Sequence, residues 1–99
     1  MNMNNLEKIR KTLSPSLLSK LDRIYSPSSR IDDVFKGNDM TIITNDAGEA
    51  MHLYLGERLP NGNINGTHYV RRVKLRTGNK IVKSHWDNKG KVSGKQKDN

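Results

Sequence analysis

The sequence predicts an α+β domain: an N-terminal helix or helix pair packed on one face of a four-stranded antiparallel β-meander, followed by a disordered basic C-terminal tail. Three observations carry this expectation. Apolar residues recur at helical spacing through Leu6, Ile9 and Leu13, and again through Leu17, Leu18, Leu21 and Ile24. From Met40 onward the spacing changes to the two-residue period of strands. It is clearest in Tyr69-Val70-Arg71-Arg72-Val73-Lys74-Leu75-Arg76, where apolar residues and cations alternate. Beyond Trp86 the apolar residues stop, Val92 excepted, while lysine and glycine continue. The expected organisation is one domain over residues 1–88, with helix at about 5–25 and sheet at about 39–87, and a tail over 89–99.

Each element has a local reason. Ser14 suits a helix N-cap and Pro15 the first helical position, where its missing N–H costs nothing, so the helical region divides or kinks there. Ser26-Pro27-Ser28-Ser29 breaks it, because serines compete for backbone hydrogen bonds and proline biases its predecessor away from helix. A short transition through Val34 and Phe35 leads to a turn at Gly37-Asn38 and the first strand, Met40 to Thr44. Asn45-Asp46-Ala47-Gly48 turns the chain into a second strand, Glu49 to Glu57, with Met51, Leu53 and Leu55 on one face and His52 and Tyr54 on the other.

The segment from Pro60 to Gly66 reads as an exposed loop into the cationic strand. Placing Leu59 opposite Thr67 sets Leu55, Leu53 and Met51 opposite Arg71, Val73 and Leu75, and Tyr54 and His52 opposite Arg72 and Lys74. A two-residue turn within Thr77-Gly78-Asn79 then starts the last strand, Lys80 to Trp86. Val82, Ser84 and Trp86 fall on its core side, Ile81, Lys83 and His85 on the other. Trp86 reads as the plug of a small core.

Composition narrows the function. A chain of 99 residues builds one core, and with no cysteine it forms neither a disulfide scaffold nor a thiolate metal site. It holds no apolar run near the ~20 residues of a membrane span and reads as soluble, unprocessed and cytoplasmic. The net charge of +8 is uneven: residues 67–99 hold ten Lys/Arg against two acids, residues 31–66 two against six. A polyanion partner is the expectation that follows.

No arrangement of residues reads as catalytic, so the protein is expected not to be an enzyme and to need no cofactor or small-molecule substrate. Asp32-Asp33 reads as a solvated acidic turn. His52, His68 and His85 lack chelating spacing and read as surface histidines, so no metal is expected. The candidate binding face comprises Tyr54, Arg72, Lys74, Arg76, Lys83 and His85, with His52 beside them. Cations at every second residue of a strand recur at about 6.6 Å, near the ~6–7 Å phosphate spacing of an extended nucleic-acid strand, and Tyr54 offers a stacking surface among them. Non-catalytic nucleic-acid binding by this face and the lysine-rich tail is the leading expectation. The alternative is an interaction module that binds an acidic protein partner or pairs through an exposed sheet edge.

Overall fold

The computed structural model describes residues 13–95. Helix α1 (Pro15–Leu21) starts as the sequence requires: Ser14 is extended at φ −66° and ψ 154°, its hydroxyl accepts from the Leu17 N–H at 3.2 Å, and Pro15 opens the first turn. Leu17 and Leu21 turn inward and are buried, and Leu13 just before the cap joins them. The expected first helical segment lies outside the described residues except for Leu13.

The helix is shorter than its apolar spacing implied. It ends at Leu21, and Ile24, expected on the buried stripe, is 69% exposed. The cause is competition from the sheet. Ile24 forms an antiparallel bridge with Glu49 and the Tyr25 N–H donates to the Gly48 carbonyl at 2.8 Å, so these residues satisfy their backbone against the turn at residues 45–49.

Among the described residues five strands, all antiparallel and in sequential order, make the sheet: β1 (Arg30–Phe35), β2 (Asn38–Thr44), β3 (Ala50–Arg58), β4 (Ile64–Thr77) and β5 (Lys80–Val92). The α+β class holds, but with five strands instead of four. The added one is β1, hidden by its two aspartates. In an extended strand they face opposite sides: Asp33 pairs with Lys20 of α1 at 2.9 Å, and Asp32 accepts from Thr41 on the other face at 2.8 Å. Asp32-Asp33 is therefore strand, not an acidic turn.

The core lies between α1 and one sheet face. Leu13, Leu17 and Leu21 pack with Met40, Ile42, Ala50 and Leu53, and Ile31, Phe35, Leu55, Tyr69 and Trp86 close around them. Burying each large aliphatic contributes on the order of 1.5–3 kcal/mol, so four fully enclosed side chains, Leu21, Met40, Ile42 and Leu53, anchor the helix to the sheet. Met51, expected beside Leu53, instead falls where the β2–β3 register shifts, between the pairs Ile43↔His52 and Thr44↔Ala50.

The β3–β4 register differs from the expected one by four residues. Arg58 pairs with Ile64, so the turn spans only Leu59 to Asn63, and Ile64 to Gly66 belong to β4. Leu55 and Leu53 then face Thr67 and Tyr69, while Tyr54 and His52 face His68 and Val70. Two features select this register. Ile64 becomes 4% exposed, and Gly56 meets Gly66 where the backbones approach too closely for side chains: a Cβ on Gly66 would collide with the Leu55 carbonyl and lie 2.8 Å from Gly56 Cα.

Pairing between β3 and β4 stops at His52↔Val70, so β4 and β5 continue beyond it as a two-stranded hairpin around a Gly78-Asn79 turn. Register shifts between Val73 and Leu75 and between Leu75 and Arg76 disturb its alternation. Val82, expected inside, is 56% exposed, whereas Ser84 and Trp86 do lie on the helix side beside Arg71 and Val73. The tail expected from residue 89 is also corrected. β5 runs to Val92, opposite Gly66, and the Gly94 carbonyl accepts from the side-chain amides of Asn61 and Asn63 at 3.0 and 3.2 Å. Residues 96–99 lie outside the described residues.

Candidate nucleic-acid interface

The sheet face away from α1 carries side chains from all five strands. Its centre is set by register: because Tyr54 faces His68 directly, their rings stack with centroids 4.3 Å apart and planes within 2°. His52, diagonal to His68, brings Nδ1 to 3.1 Å from His68 Nε2, so one imidazole donates to the other. Burial lowers the pKa of His68, and the neighbouring His52 and Lys89 charges lower it further. Both effects favour the neutral imidazole, which presents an uncharged ring for stacking.

Toward β5 the same face holds a three-residue polar cluster built on one ion pair. Arg72 donates to Asp87 Oδ1 at 3.0 Å, and His85 Nε2 lies 3.2 Å from the same oxygen. The Arg72 hydrogen bond holds the Asp87 carboxyl below its ordinary range. One carboxylate therefore orders the Arg72 guanidinium and the His85 imidazole on an exposed surface.

On the other side of the rings, toward β2, a groove of about 330 Å³ opens between Tyr54 and residues 92–95, at the small end of ligand-holding clefts. Ile43, Ile64 and Val92 give it apolar walls beside Tyr54, and Arg30, Asn63 and Lys95 supply polar groups at its margin. Arg30 and Arg58 both approach Asp32, at 3.0 and 3.3 Å. Burial pushes the Asp32 carboxyl up, but hydrogen bonds from Thr41 and Arg30 and the charges of Arg30 and Arg58 outweigh it, leaving a net lowering. Arg58 also donates to the Met40 and Gly62 carbonyls, which ties the β3–β4 turn to β2.

Of the residues the sequence singled out, the structure brings Tyr54 with His52 into one cluster and Arg72 with His85 into the adjoining one. It does not bring Arg76 there. Past the register shift at Leu75, Arg76 falls on the helix side and binds the buried carboxylate of Glu49 through both oxygens, at 2.8 and 3.0 Å. Lys74 is exposed at that shift, and Lys83 borders a separate cleft beside α1. The sequence reading missed His68, Ile64, Val92 and Lys95 as members of this face. The paired glycines 56 and 66 were the available signal, since aligning them gives the true register.

Among the described residues no group of three His, Cys, Asp or Glu converges to hold a metal ion. No described helix is long and apolar enough to cross a membrane. Fold and site together define a small α+β domain with a cationic, ring-bearing sheet face left open by its single described helix. Comparison with family models, curated proteins and solved structures finds no match to this chain.

Proposed function

We propose that this protein binds single-stranded nucleic acid, without catalysing a reaction, on the sheet face centred on Tyr54 and His68. The observation that supports it most directly is the adjacency of a stacked ring pair, a base-sized apolar groove and cations on both sides. Single strands are held by this combination: π surfaces take the bases and flanking Arg and Lys track the phosphates. Arg72 lies on the β5 side of the rings, where the Lys89 charge also acts on His68, and Arg30 and Lys95 line the groove on the other side. In this reading β5 and the segment after it supply charge from an ordered strand rather than a loose tail, and Lys74 and Lys83 add to the general field.

The test is fluorescence anisotropy with labelled oligo-dT, oligo-U and duplex DNA across a salt series. Single strands are expected to bind more tightly than duplex, with log affinity falling linearly against log salt. Tyr54→Ala is expected to weaken binding about tenfold, the loss of one stacked base at ~1.4 kcal/mol. Arg72→Glu with Lys89→Glu should weaken it further and make the salt dependence shallower. Absence of binding at low salt, or Tyr54→Ala binding as wild type, would refute the assignment.

A further inference from the structure

On the opposite side of the sheet a cleft of about 610 Å³ separates the C-terminal end of α1 from the β4–β5 hairpin. Leu18, Arg23 and Ile24 form one wall, Lys80 to Lys83 the other, and Trp86 lies in it. Its apolar surface is unusually open: Ile24 is 69% exposed and Val82 56%. Both side chains line this one cleft, and exposed apolar surface in a cleft is of the kind that a partner covers.

The charges say which kind of chain. Two carboxylates line the cleft, and both are already neutralised: Asp22 by Arg71 at 2.6 Å, and Glu49 by Arg76 at 2.8 Å. Arg23, Lys80 and Lys83 have no ion pair among the described residues. The cleft therefore presents three uncompensated cations around an aliphatic patch. Residues 1–12 carry Lys8, Arg10 and Lys11 against Glu7, the same sign as the cleft, and a second copy of the chain is itself +8. Neither is a charge match. A nucleic acid matches the charge, but its bases need a free aromatic face. Ile24 and Val82 are aliphatic, and the Arg71 guanidinium, 5.5 Å from the Trp86 ring centroid, already occupies one face of that ring.

We infer that the cleft between α1 and the β4–β5 hairpin docks an acidic peptide segment of a partner protein, with an aliphatic side chain of that segment seated between Ile24 and Val82 and its carboxylates on Arg23, Lys80 and Lys83. This site is separate from the ring-bearing face, so the two assignments stand or fall independently.

Trp86 is the sole tryptophan and lines the cleft, so its emission reports occupancy directly. The full-length protein is titrated with a synthetic peptide alternating Glu and Leu, a matched Glu-Ser peptide, a Lys-Leu peptide and oligo-dT. The Glu-Leu peptide is expected to shift the emission saturably, and the Glu-Ser peptide to bind at least tenfold more weakly. Lys80→Glu with Lys83→Glu, and separately Ile24→Asp, should each reduce Glu-Leu binding tenfold or more at unchanged melting temperature, since these side chains are exposed. Tyr54→Ala should leave it unchanged. Equal binding of the Glu-Leu and Glu-Ser peptides, undiminished binding by the charge-reversed variant, or displacement of the Glu-Leu peptide by oligo-dT would overturn the inference.

Discussion

Arg71 donates from Nη2 to Asp22 Oδ1 at 2.6 Å while its guanidinium lies 5.5 Å from the centroid of the Trp86 ring. The same side chain donates to the Ser84 hydroxyl at 2.9 Å and approaches the Ala50 and Leu21 carbonyls at 3.3 and 3.5 Å. A single cation, 7% exposed, thus joins the end of α1, the start of β3 and both strands of the last hairpin. Burying it is tolerable because nearly all its donors are used.

Removing this joint should cost more than removing its carboxylate. Arg71→Ala orphans two main-chain carbonyls and a hydroxyl, and is expected to destabilise the fold by about 2–4 kcal/mol in urea unfolding. Asp22, two-thirds exposed at its side chain, can be replaced by Asn for less than about 1 kcal/mol. Arg71→Lys should remain well below wild type, because an ammonium lacks the forked donors. An Arg71→Ala midpoint within error of wild type would contradict this account.

Glu49 contributes to the acid limb of the stability curve. Hydrogen bonds from Arg76 and then Asn45 lower its pKa from 4.5 to about 2, outweighing the effect of burial. Between those values the unfolded chain binds a proton that the folded one does not, so stability falls as pH drops from about 4.5 toward 2. Glu49→Gln should flatten that limb and speed hydrogen exchange in residues 73–84, which the Arg76 contact holds against the β2–β3 turn. An unchanged acid limb in Glu49→Gln would count against the pair.

A second pH effect comes from His68. Because its folded pKa lies below the ordinary value of 6.5, the unfolded state protonates first, and stability declines as pH falls below about 6.5. Protonation also removes the acceptor from the His52–His68 hydrogen bond when His68 is the acceptor, and charges a ring stacked on Tyr54. Nuclear magnetic resonance titration should place the His68 midpoint below 6.5, and His68→Phe should remove this part of the pH dependence while keeping the stack. A His68 midpoint at or above 6.5 would be inconsistent with the half-buried, cation-flanked ring.

Truncation after Asn88 tests the end of the fold. The deletion removes Val92 from beside Ile64 and Gly66, and with it the Gly94 carbonyl that ties down Asn61 and Asn63. A loss of about 1–2 kcal/mol is expected, which for a domain of this size lowers the melting temperature by roughly 5–15 °C. A truncated protein melting with the wild type would show that β5 ends functionally at Asn88.

Close packing of β3 on β4 supplies a further test. Gly66→Ala places a methyl group against the Leu55 carbonyl and Gly56 Cα, so the strands must separate or slip. Destabilisation by more than about 2 kcal/mol is expected, together with loss of the Tyr54–His68 stack, which depends on this register. Retention of wild-type stability and ring-current shifts would argue against the close approach.

The sequence by itself determined what depends on neighbours along the chain. Ser14 and Pro15 start α1 because their capping chemistry is local, Asn45 to Gly48 and Gly78-Asn79 turn the chain where expected, and alternation puts Leu53 and Leu55 on the core side with His52 and Tyr54 opposite. Its charge pattern also located the cations of β4 and β5. Tertiary structure alone decided partners. A two-residue period is unchanged by a shift of four, so the alternation that fixed the faces of β3 and β4 left their register open. Burial of Ile64 and contact between two glycines closed it and set His68, not Arg72, against Tyr54. The same limit hid β1, whose consecutive aspartates are accommodated only because Lys20 waits on one face and Thr41 on the other. It also misplaced Arg76, since a register shift midway along the hairpin reset the alternation and delivered that cation to Glu49, a buried carboxylate 27 residues away.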